Sequence, residues 1–341
     1  MKAYVLSKTG RPSVLRMQEV PEPSPEKHEV KIRTEAIGLN YAEVLSRRGQ
    51  YSWAPKKPYI LGMESTGEVV EVGSEVVGCQ VGDKVIAGNQ FGSYAEYNCV
   101  PQHLAFLAIE SLNPEENTAL LVSFMTAWVA LQKQARLQAG ESVLIHAAAG
   151  GLGTAAIQLA KAMGCKVYGT ASNQGKLDLI KKLGADEAIN YKEQDFYKVL
   201  KEKVGGVDAV MEVVGGDVFR KSIQLLNPFG RLVVVGYASI SFKAWNPWTW
   251  WKTWKDAPKV NVMNMAQNNY GISASHVGYL TAIEDLSASM WKELTRFVQD
   301  HQIKPHVGKV FDFEEMAEAH AYMESRQSSG KIVIKLNHDS K

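Results

Sequence analysis

The chain has 341 residues, of which 45% are hydrophobic and 22% charged, and its formal net charge is +2. This length allows two domains with a large core, and so small a net charge argues against nucleic acid or an anionic membrane surface as the main partner. The three cysteines, Cys79, Cys99 and Cys165, have no paired spacing, and the N-terminal MKAYVLSKTG lacks the apolar core of a signal peptide, so we expect a cytoplasmic protein.

Residues 1 to about 115 consist of short runs in which apolar and polar residues alternate, separated by glycine and proline. Examples are AYVL, EVKIRTEAIGL, TGEVVEVG, DKVIAG and SYAEYNCV. This pattern predicts an irregular β-rich domain, whose first strand lies near the N-terminus. A helical pattern follows over LLVSFMTAWVALQKQ.

Strands and helices then alternate. The predicted strands are VLIHA, KVYGTAS, AINY, DAVMEVVG and RLVVVGYAS, with a helical pattern after each of the first four. Such βαβ repetition predicts an α/β fold with a doubly wound parallel sheet. After about Gly278 we expect a helix ending near Gln302, a strand in KPHVGKVFDF, a helix over 314–324 and a last strand, KIVIKL.

Residues 142–164, SVLIHAAAGGLGTAAIQLAKAMG, contain the clearest functional motif. The apolar run at 143–145 predicts a strand buried on both faces, and the glycine cluster AAGGLG separates it from a helix. Strand, glycine turn and helix favour phosphate binding, because glycines let a pyrophosphate approach the backbone and a helix start offers unpaired N–H groups. Ala148 stands where the strict motif has its first glycine, so an ordinary tight turn stays open as an alternative.

Several motifs, in the same order, resemble the medium-chain dehydrogenase/reductase superfamily. They are GxExxGxVxxVG from Gly62, GDxV from Gly82, AAGGLG from Ala148 and SRQSSGKIVI near the C-terminus. The chain is similar to the zinc-free quinone oxidoreductase (zeta-crystallin-like) branch. Within that branch GLNYAEVLSRRGQY, TWWKTW, SASHVGYL and IKPHVGKVFDFEEMAEAH resemble the vesicle amine transport protein-like relatives.

This resemblance implies a GroES-like β-rich catalytic domain joined to a Rossmann domain. We expect the first part of the catalytic domain at 1–122, the NADPH-binding Rossmann domain at 123–278, and a return to the catalytic domain at 279–341.

The resemblance also bears on metal binding. Zinc-bearing members of the superfamily have a Cys in the segment where this chain has Gly38, Leu39 and Asn40, and a His where it has Met63. A carboxamide and a thioether are poor zinc ligands, and the four-cysteine lobe of the structural zinc site is missing. We therefore expect no zinc.

NADPH is the expected cofactor. The predicted strand end GTASN (169–173) lacks the carboxylate that binds the ribose hydroxyls of NAD, whereas Ser172 can donate a hydrogen bond to a 2′-phosphate. By resemblance, Lys176 holds this phosphate and Tyr191 lies beside it, although alone they could be a surface lysine and a half-buried strand end. The predicted cofactor-binding residues are Asn40, Thr126, Ala149, Gly150, Gly151, Leu152, Gly169, Thr170, Ser172, Lys176, Tyr191, Gly236, Tyr237, Arg326 and Lys331.

Without zinc or an evident nucleophile, the cofactor must carry the reaction. Hydride delivered to a quinone or an enone leaves negative charge on an oxygen, which a hydroxyl or amide donor would stabilise. Tyr41 and Asn40 are the candidates for this catalytic role, and Tyr41, Tyr51 and Met63 are predicted to line the substrate pocket. Alternatively Tyr41 only packs, and water delivers the proton. His146, inside a predicted strand, is interpreted as a hydrogen-bonded core residue.

Five of the eight tryptophans fall within 245–254, interleaved with lysines. We favour packing or a subunit contact over membrane association, because an interfacial anchor needs a longer amphipathic helix and more charge. The following run, ISASHVGY, predicts an edge strand; in the relatives such a strand pairs across a two-fold axis, which implies a homodimer.

The sequence therefore predicts an NADPH-dependent, zinc-independent oxidoreductase that transfers hydride to a quinone. Two alternatives stay open. One is a reductase of enone or alkenal double bonds, and the other is a non-catalytic NADPH-binding protein associated with vesicles or membranes.

Overall fold

A computed structural model describes residues 1–236 and 259–337, which fall into two compact units. The β-rich unit comprises Met1–Met125 and Gly278–Lys341, and the parallel-sheet unit comprises Thr126–Val277. The predicted domain limits at 122 and 278 stay a prediction. Tyr237 and the tryptophan-rich residues 245–254 lie outside the described residues.

The described strands alternate with helices only in the middle of the chain. In chain order the strands are β1 (Lys2–Leu6), β2 (Met17–Glu19), β3 (Glu29–Leu39), β4 (Tyr59–Ile60), β5 (Glu64–Val72), β6 (Lys84–Gly88), β7 (Tyr97–Pro101), β8 (Ala105–Leu107), β9 (Ser142–Ile145), β10 (Lys166–Ala171), β11 (Glu187–Asn190), β12 (Val207–Glu212), β13 (Leu226–Val234), β14 (Gly271–Ala274), β15 (Val307–Asp312) and β16 (Lys331–Lys335). The α-helices are α1 (Tyr41–Arg47), α2 (Pro114–Thr118), α3 (Met125–Trp128), α4 (Gly151–Ala162), α5 (Gln174–Lys182), α6 (Phe196–Val204), α7 (Gly216–Gln224), α8 (Val262–Asn268), α9 (Val277–Thr281), α10 (Glu284–Asp300) and α11 (Met316–Glu324).

The β-rich unit is built around β3. A seven-stranded sheet runs β15-β16-β3-β5-β6-β8, with β7 also paired to β3, and a second sheet runs β2-β1-β4. All of these pairings are antiparallel except that of β15 with β16. A buried cluster that includes Leu6, Ile37, Leu61, Tyr94 and Phe313 forms the larger apolar core of this unit.

The register of three strands brings distant residues to one point. Leu39, the last residue of β3, pairs with Ile332 of β16, and Ile37 pairs with Ser65 of β5. The residues that come next, Asn40, Lys331 and Glu64, therefore lie side by side at the same end of the sheet.

The parallel-sheet unit has the predicted Rossmann topology. Its six strands are all parallel in the order β11-β10-β9-β12-β13-β14, so the order reverses at β9, the first strand of the unit. All four residues of β9 are buried, which confirms the prediction from the apolar run. Among the described residues β14 ends this sheet, so ISA of ISASHVGY forms the predicted edge strand, while α9 begins at Val277.

Two helical segments differ in detail from the prediction. The helix predicted over LLVSFMTAWVALQKQ is formed, but its turns at Leu120–Phe124 and Val129–Gln134 are π-helical. The helix placed after Gly153 already begins at Gly151, because Gly150 takes the N-cap position with an extended backbone. In the described parts of the chain, no helix is both long and apolar enough to cross a bilayer.

The glycine turn offers a matched pair of substitutions. A Cβ at Gly153 would lie 2.5 Å from the carbonyl oxygens of Ala147 and Ala148, whereas a Cβ at Gly150 would have only the Ala147 oxygen near it, at 3.5 Å. We expect Gly153→Ala to lower the free energy of unfolding by about 1–3 kcal/mol, because the start of α4 must move away from β9. Gly150→Ala should change it little. Urea unfolding measures both, and equal losses would contradict the packing argument.

Candidate active site and nucleotide site

The predicted phosphate-binding turn lies at the topological switch point of the parallel sheet. Ala149 and Gly150 connect β9 to α4, and Gly151 and Leu152 are the first residues of that helix. The Ala148 N–H donates to the carbonyl oxygen of Thr170 at 3.0 Å, which fastens the turn to the end of β10. The first turn of α4 contains no acidic side chain. Its N–H groups and the positive end of the helix dipole therefore suit an anion.

The end of β10 brings the other predicted nucleotide residues together. Asn173 caps α5 by accepting from the Lys176 N–H at 3.1 Å, and the Tyr191 N–H donates to the Ala171 carbonyl at 3.1 Å. Ser172 and Lys176 are half-buried, and Tyr191 is exposed. The parallel pairing of β10 with β11 thus places Tyr191 beside the start of α5.

Electrostatics at this point favour an anion. Burial lowers the pKa of Lys176, and the positive charge of Lys192 lowers it further. Residues 172–176 contain no carboxylate. Their side chains include the Ser172 hydroxyl and the Asn173 amide, and Lys192 is a second cation close to Lys176. A phosphate group would neutralise their repulsion.

Three buried residues support this region. His146 is buried, and its Nδ1 and Nε2 lie 3.1 Å from Thr170 Oγ1 and 2.8 Å from Ser222 Oγ, which confirms it as a hydrogen-bonded core residue. Gly169 is buried, and a Cβ there would lie 2.9 Å from Ile180 Cδ1, so this position leaves little room for a side chain. Glu212, which the sequence analysis missed, is fully buried at the end of β12 and accepts from the N–H groups of Val214 and Gly215 at 2.7–3.0 Å.

A second polar cluster lies in the β-rich unit, centred on Asn40. The Asn40 Nδ2 donates to Glu64 Oε1 at 2.8 Å, and its Oδ1 accepts from the Lys331 ammonium at 2.7 Å. Lys331 also forms an ion pair with Glu64 Oε1. Glu64 Oε2 accepts from the Val122 N–H at 2.8 Å, in the first π-helical turn. The amide of Asn40 is therefore fixed from both sides.

Gly38 makes room for this ion pair. A Cβ at Gly38 would lie 2.7 Å from Glu64 Cδ, so only glycine at this place in β3 leaves space for the carboxylate. Glu64 and Lys331 are 0% and 2% exposed. Because charges are this well removed from water only when they are paired, each depends on the other.

Glu43 adds another carboxyl group to the cluster. Its Oε2 accepts from the Asn40 N–H at 2.6 Å, and its Oε1 accepts from the Met63 N–H at 3.1 Å. Burial raises the pKa of Glu43 to about 7; the neighbouring Glu64 carboxylate raises it too, whereas the Lys331 ammonium lowers it. This cluster of Asn40, Glu43, Glu64 and Lys331 is called the Asn40 cluster below.

The predicted substrate-pocket residues lie close in sequence to members of the Asn40 cluster. Tyr41 is the first residue of α1 and is 38% exposed, whereas Met63 is buried directly before Glu64. Tyr51 is half-buried, and burial together with Glu43 raises its pKa.

Three other predicted cofactor residues lie apart in sequence from the glycine turn, the end of β10 and the Asn40 cluster. Thr126 is half-buried in α3, Gly236 follows β13, and Arg326 is an exposed residue with a left-handed backbone (φ 60°) after α11. Their roles stay predictions.

Glu43 and Glu64 are the site residues that sequence reasoning missed in this unit. The spacing of Asn40 and Glu43 is that of a capping box, so this signal was present. Glu64 is an acid at the start of β5, where the first four residues of the strand are buried and a carboxylate needs a partner.

Two observations bear on metal chemistry. Within residues 1–236 and 259–337, no three His, Cys, Asp or Glu side chains are grouped so as to hold a metal ion. Cys79, Cys99 and Cys165 are free thiols.

Two family models match the chain: zinc-binding dehydrogenase over residues 151–296, and alcohol dehydrogenase GroES-like domain over residues 26–110. The human synaptic vesicle membrane protein VAT-1 homolog is 33% identical over 339 residues, covering 98% of this chain and 86% of that protein. Mouse quinone oxidoreductase is 31% identical over 351 residues, covering 98% of each. The chain belongs to the medium-chain dehydrogenase/reductase superfamily, in its quinone oxidoreductase-like branch.

The structures agree with this assignment. The crystal structure of Escherichia coli quinone oxidoreductase complexed with NADPH matches with a TM-score of 0.87 at 27% identity, covering 98% of this chain and 100% of that one. The resemblance seen in the sequence is thus confirmed, as is the combination of a GroES-like domain with a Rossmann sheet. The protein is an oxidoreductase of this superfamily.

The buried ion pair yields a stability prediction. Lys331→Met leaves Glu64 as a buried carboxylate without its ammonium, and we expect a loss of about 3–5 kcal/mol in the free energy of unfolding. The double variant Glu64→Gln/Lys331→Met should recover part of that loss, because the charge is gone. Lys335→Met is the matched control on the same strand. This lysine is exposed, and its Nζ forms only a long ion pair with Glu115 Oε1, at 3.9 Å. We expect a change below about 1 kcal/mol there. Equal losses in both single variants, measured by urea unfolding, would contradict the account.

Proposed function

We propose that this protein is an NADPH-dependent oxidoreductase that transfers hydride to a quinone without zinc. The observation that carries the proposal is the pair of lysines, Lys176 and Lys192, beside a glycine turn at a strand end without a carboxylate. Such a surface suits the 2′-phosphate that distinguishes NADPH from NADH. Membership of the quinone oxidoreductase-like branch supports the same choice.

The residues present fit the cofactor. The turn at 149–152 would hold the pyrophosphate through backbone N–H groups, and Ser172, Lys176 and Tyr191 would hold the 2′-phosphate and the adenosine around it. When bound, NADPH supplies the hydride. The protein contributes binding, orientation and the electrostatics of the acceptor.

Residues of the β-rich unit would act on the acceptor. We assign Tyr41 as the donor to the oxygen that becomes negative, because its side chain is partly exposed at the start of α1. Tyr51 and Met63 would line the pocket. Both polar atoms of the Asn40 amide are already bonded within the Asn40 cluster, so we assign Asn40 the task of shaping the pocket beside Tyr41.

The same cluster supports the proposal of zinc independence. At this position the chain offers an amide, two carboxyl groups and an ammonium, and the ammonium occupies the space that a cation would need.

An enone or alkenal leaves the same negative charge on oxygen as a quinone, so both acceptor classes belong in the test. A homodimer formed through β14 and a cytoplasmic location are also part of the proposal.

Turnover separates the enzyme from a binding protein. We expect NADPH oxidation, followed at 340 nm, with at least one member of a panel of quinones and enones. Tight NADPH binding without turnover on any acceptor would instead favour the non-catalytic alternative, to which the likeness to the VAT-1 homolog also points. Absence of binding would refute the nucleotide site.

Recognition of the 2′-phosphate by Lys176 predicts a selective binding defect. Lys176→Ala should weaken NADPH by about 10-fold or more, since one charge-assisted hydrogen bond to phosphate is lost, and should leave NADH nearly unchanged. Titration of both cofactors by calorimetry measures the change. Lys201→Ala, an exposed lysine of α6, is the control and should affect neither cofactor. Equal weakening of both cofactors by Lys176→Ala would contradict 2′-phosphate recognition.

A further inference from the structure

Glu43 is a fully buried carboxyl group to which the proposed function gives no task. It lies in α1, two residues after Tyr41, and it accepts hydrogen bonds from three donors that carry no charge. These are the backbone N–H of Asn40 at 2.6 Å, the backbone N–H of Met63 at 3.1 Å and the Asn40 Nδ2 at 3.4 Å.

These hydrogen bonds join three separate segments of the chain. Asn40 follows β3, Met63 precedes β5, and Glu43 itself lies in the first turn of α1. Tyr41 and Met63, two of the three proposed pocket residues, lie on the segments that Glu43 ties together. A carboxylate is the only side-chain group of this size that can accept from two N–H groups with two separate oxygens and donate to neither.

We propose that Glu43 is a positioning residue of the pocket: its ionised carboxylate sets the relative positions of the Asn40, Tyr41 and Met63 segments and thereby the rate of reduction. This inference rests on the proposed function for its effect on rate, but not for the hydrogen bonds it invokes.

Burial and the charges around Glu43 make its protonation state change near neutral pH. Burial and the Glu64 carboxylate raise the pKa of Glu43 to about 7, although the Lys331 ammonium lowers it. The phenols of Tyr51, Tyr59 and Tyr94 are close enough to interact with Glu43 electrostatically: burial raises the pKa of each phenol, and the Glu43 charge raises it further. Below about pH 7 Glu43 gains a proton, one oxygen becomes a donor, and the N–H group facing that oxygen loses its acceptor.

The kinetic test uses Glu43→Gln. Its amide nitrogen must face one of the two N–H groups, so we expect kcat to fall by about 10- to 100-fold through misplacement of the pocket, while the Kd for NADPH changes less than about twofold. The wild-type kcat should decline below about pH 7, and this decline should vanish in Glu43→Gln. Glu43→Asp keeps the charge but shortens the reach, so its kcat should fall while the acidic decline persists. Glu110→Gln, an exposed glutamate, is the control and should match the wild type.

A measurement independent of turnover accompanies the kinetics. In protein labelled with ¹⁵N-methionine, the Met63 amide resonance, assigned with Met63→Leu, should shift between pH 6 and 8 with a midpoint near 7. This shift should be absent in Glu43→Gln.

The outcomes separate the two proposals. A titrating Met63 amide in a protein that oxidises no NADPH would refute the proposed function and uphold the hydrogen bonds of Glu43. Turnover that is equal in wild type and Glu43→Gln, or a Met63 amide that does not titrate, would overturn the role of Glu43. If Glu43→Gln fails to fold, the wild-type amide titration and the pH profile of Glu43→Asp decide.

Discussion

The β-rich unit depends on one buried ion pair, that of Lys331 with Glu64. Both groups are removed from water, and a buried charge is tolerated only when it is paired and its remaining hydrogen-bonding capacity is used. Asn40 and the Val122 N–H use that capacity, and Gly38 leaves space for it. The ion pair thus fixes where β3 ends, where β5 and β16 begin, and where a π-helical turn interrupts the helix that follows α2.

Charge is also important in the parallel-sheet unit, where two lysines lie close together. Burial and the positive charge of Lys192, which follows β11, both lower the pKa of Lys176, and residues 172–176 at the end of β10 contain no carboxylate. In the β-rich unit Lys331 is buried in an ion pair with Glu64, whereas in the parallel-sheet unit Lys176 is half-buried and Lys192 is exposed, within reach of a ligand from solvent. This contrast is the physical basis for assigning anion binding to the Rossmann sheet and acceptor chemistry to the region of the Asn40 cluster.

Much of the fold could be predicted from the sequence because the signals are local. Apolar runs such as 143–145 indicate buried parallel strands, alternating runs indicate the antiparallel sheet, and the glycine turn marks the start of α4. The helix boundaries were harder to predict: α4 begins at Gly151, with Gly150 as its N-cap, rather than after Gly153, because capping depends on backbone angles that composition does not show. The π-helical turn at Leu120–Phe124 was not predicted, since its Val122 N–H bonds to Glu64, 58 residues away in sequence.

The Asn40 cluster shows where local reasoning ends. Resemblance suggested Asn40 and Lys331 as cofactor contacts, but their contact with each other joins residues 291 positions apart. Only the strand order β16-β3-β5 creates that contact. Glu43 could have been found from its capping-box spacing, whereas its bond to Met63 requires the folded sheet.

The most direct test of the account is the stereochemistry of hydride loss from the cofactor. NADPH carrying deuterium at C4, prepared separately as each of the two diastereomers, would be oxidised by the protein with a quinone, and the recovered NADP⁺ analysed by mass spectrometry. We expect complete loss of deuterium from one diastereomer and complete retention from the other, because a bound nicotinamide presents one face to the acceptor. Equal partition between the two diastereomers, or no oxidation of either, would contradict it.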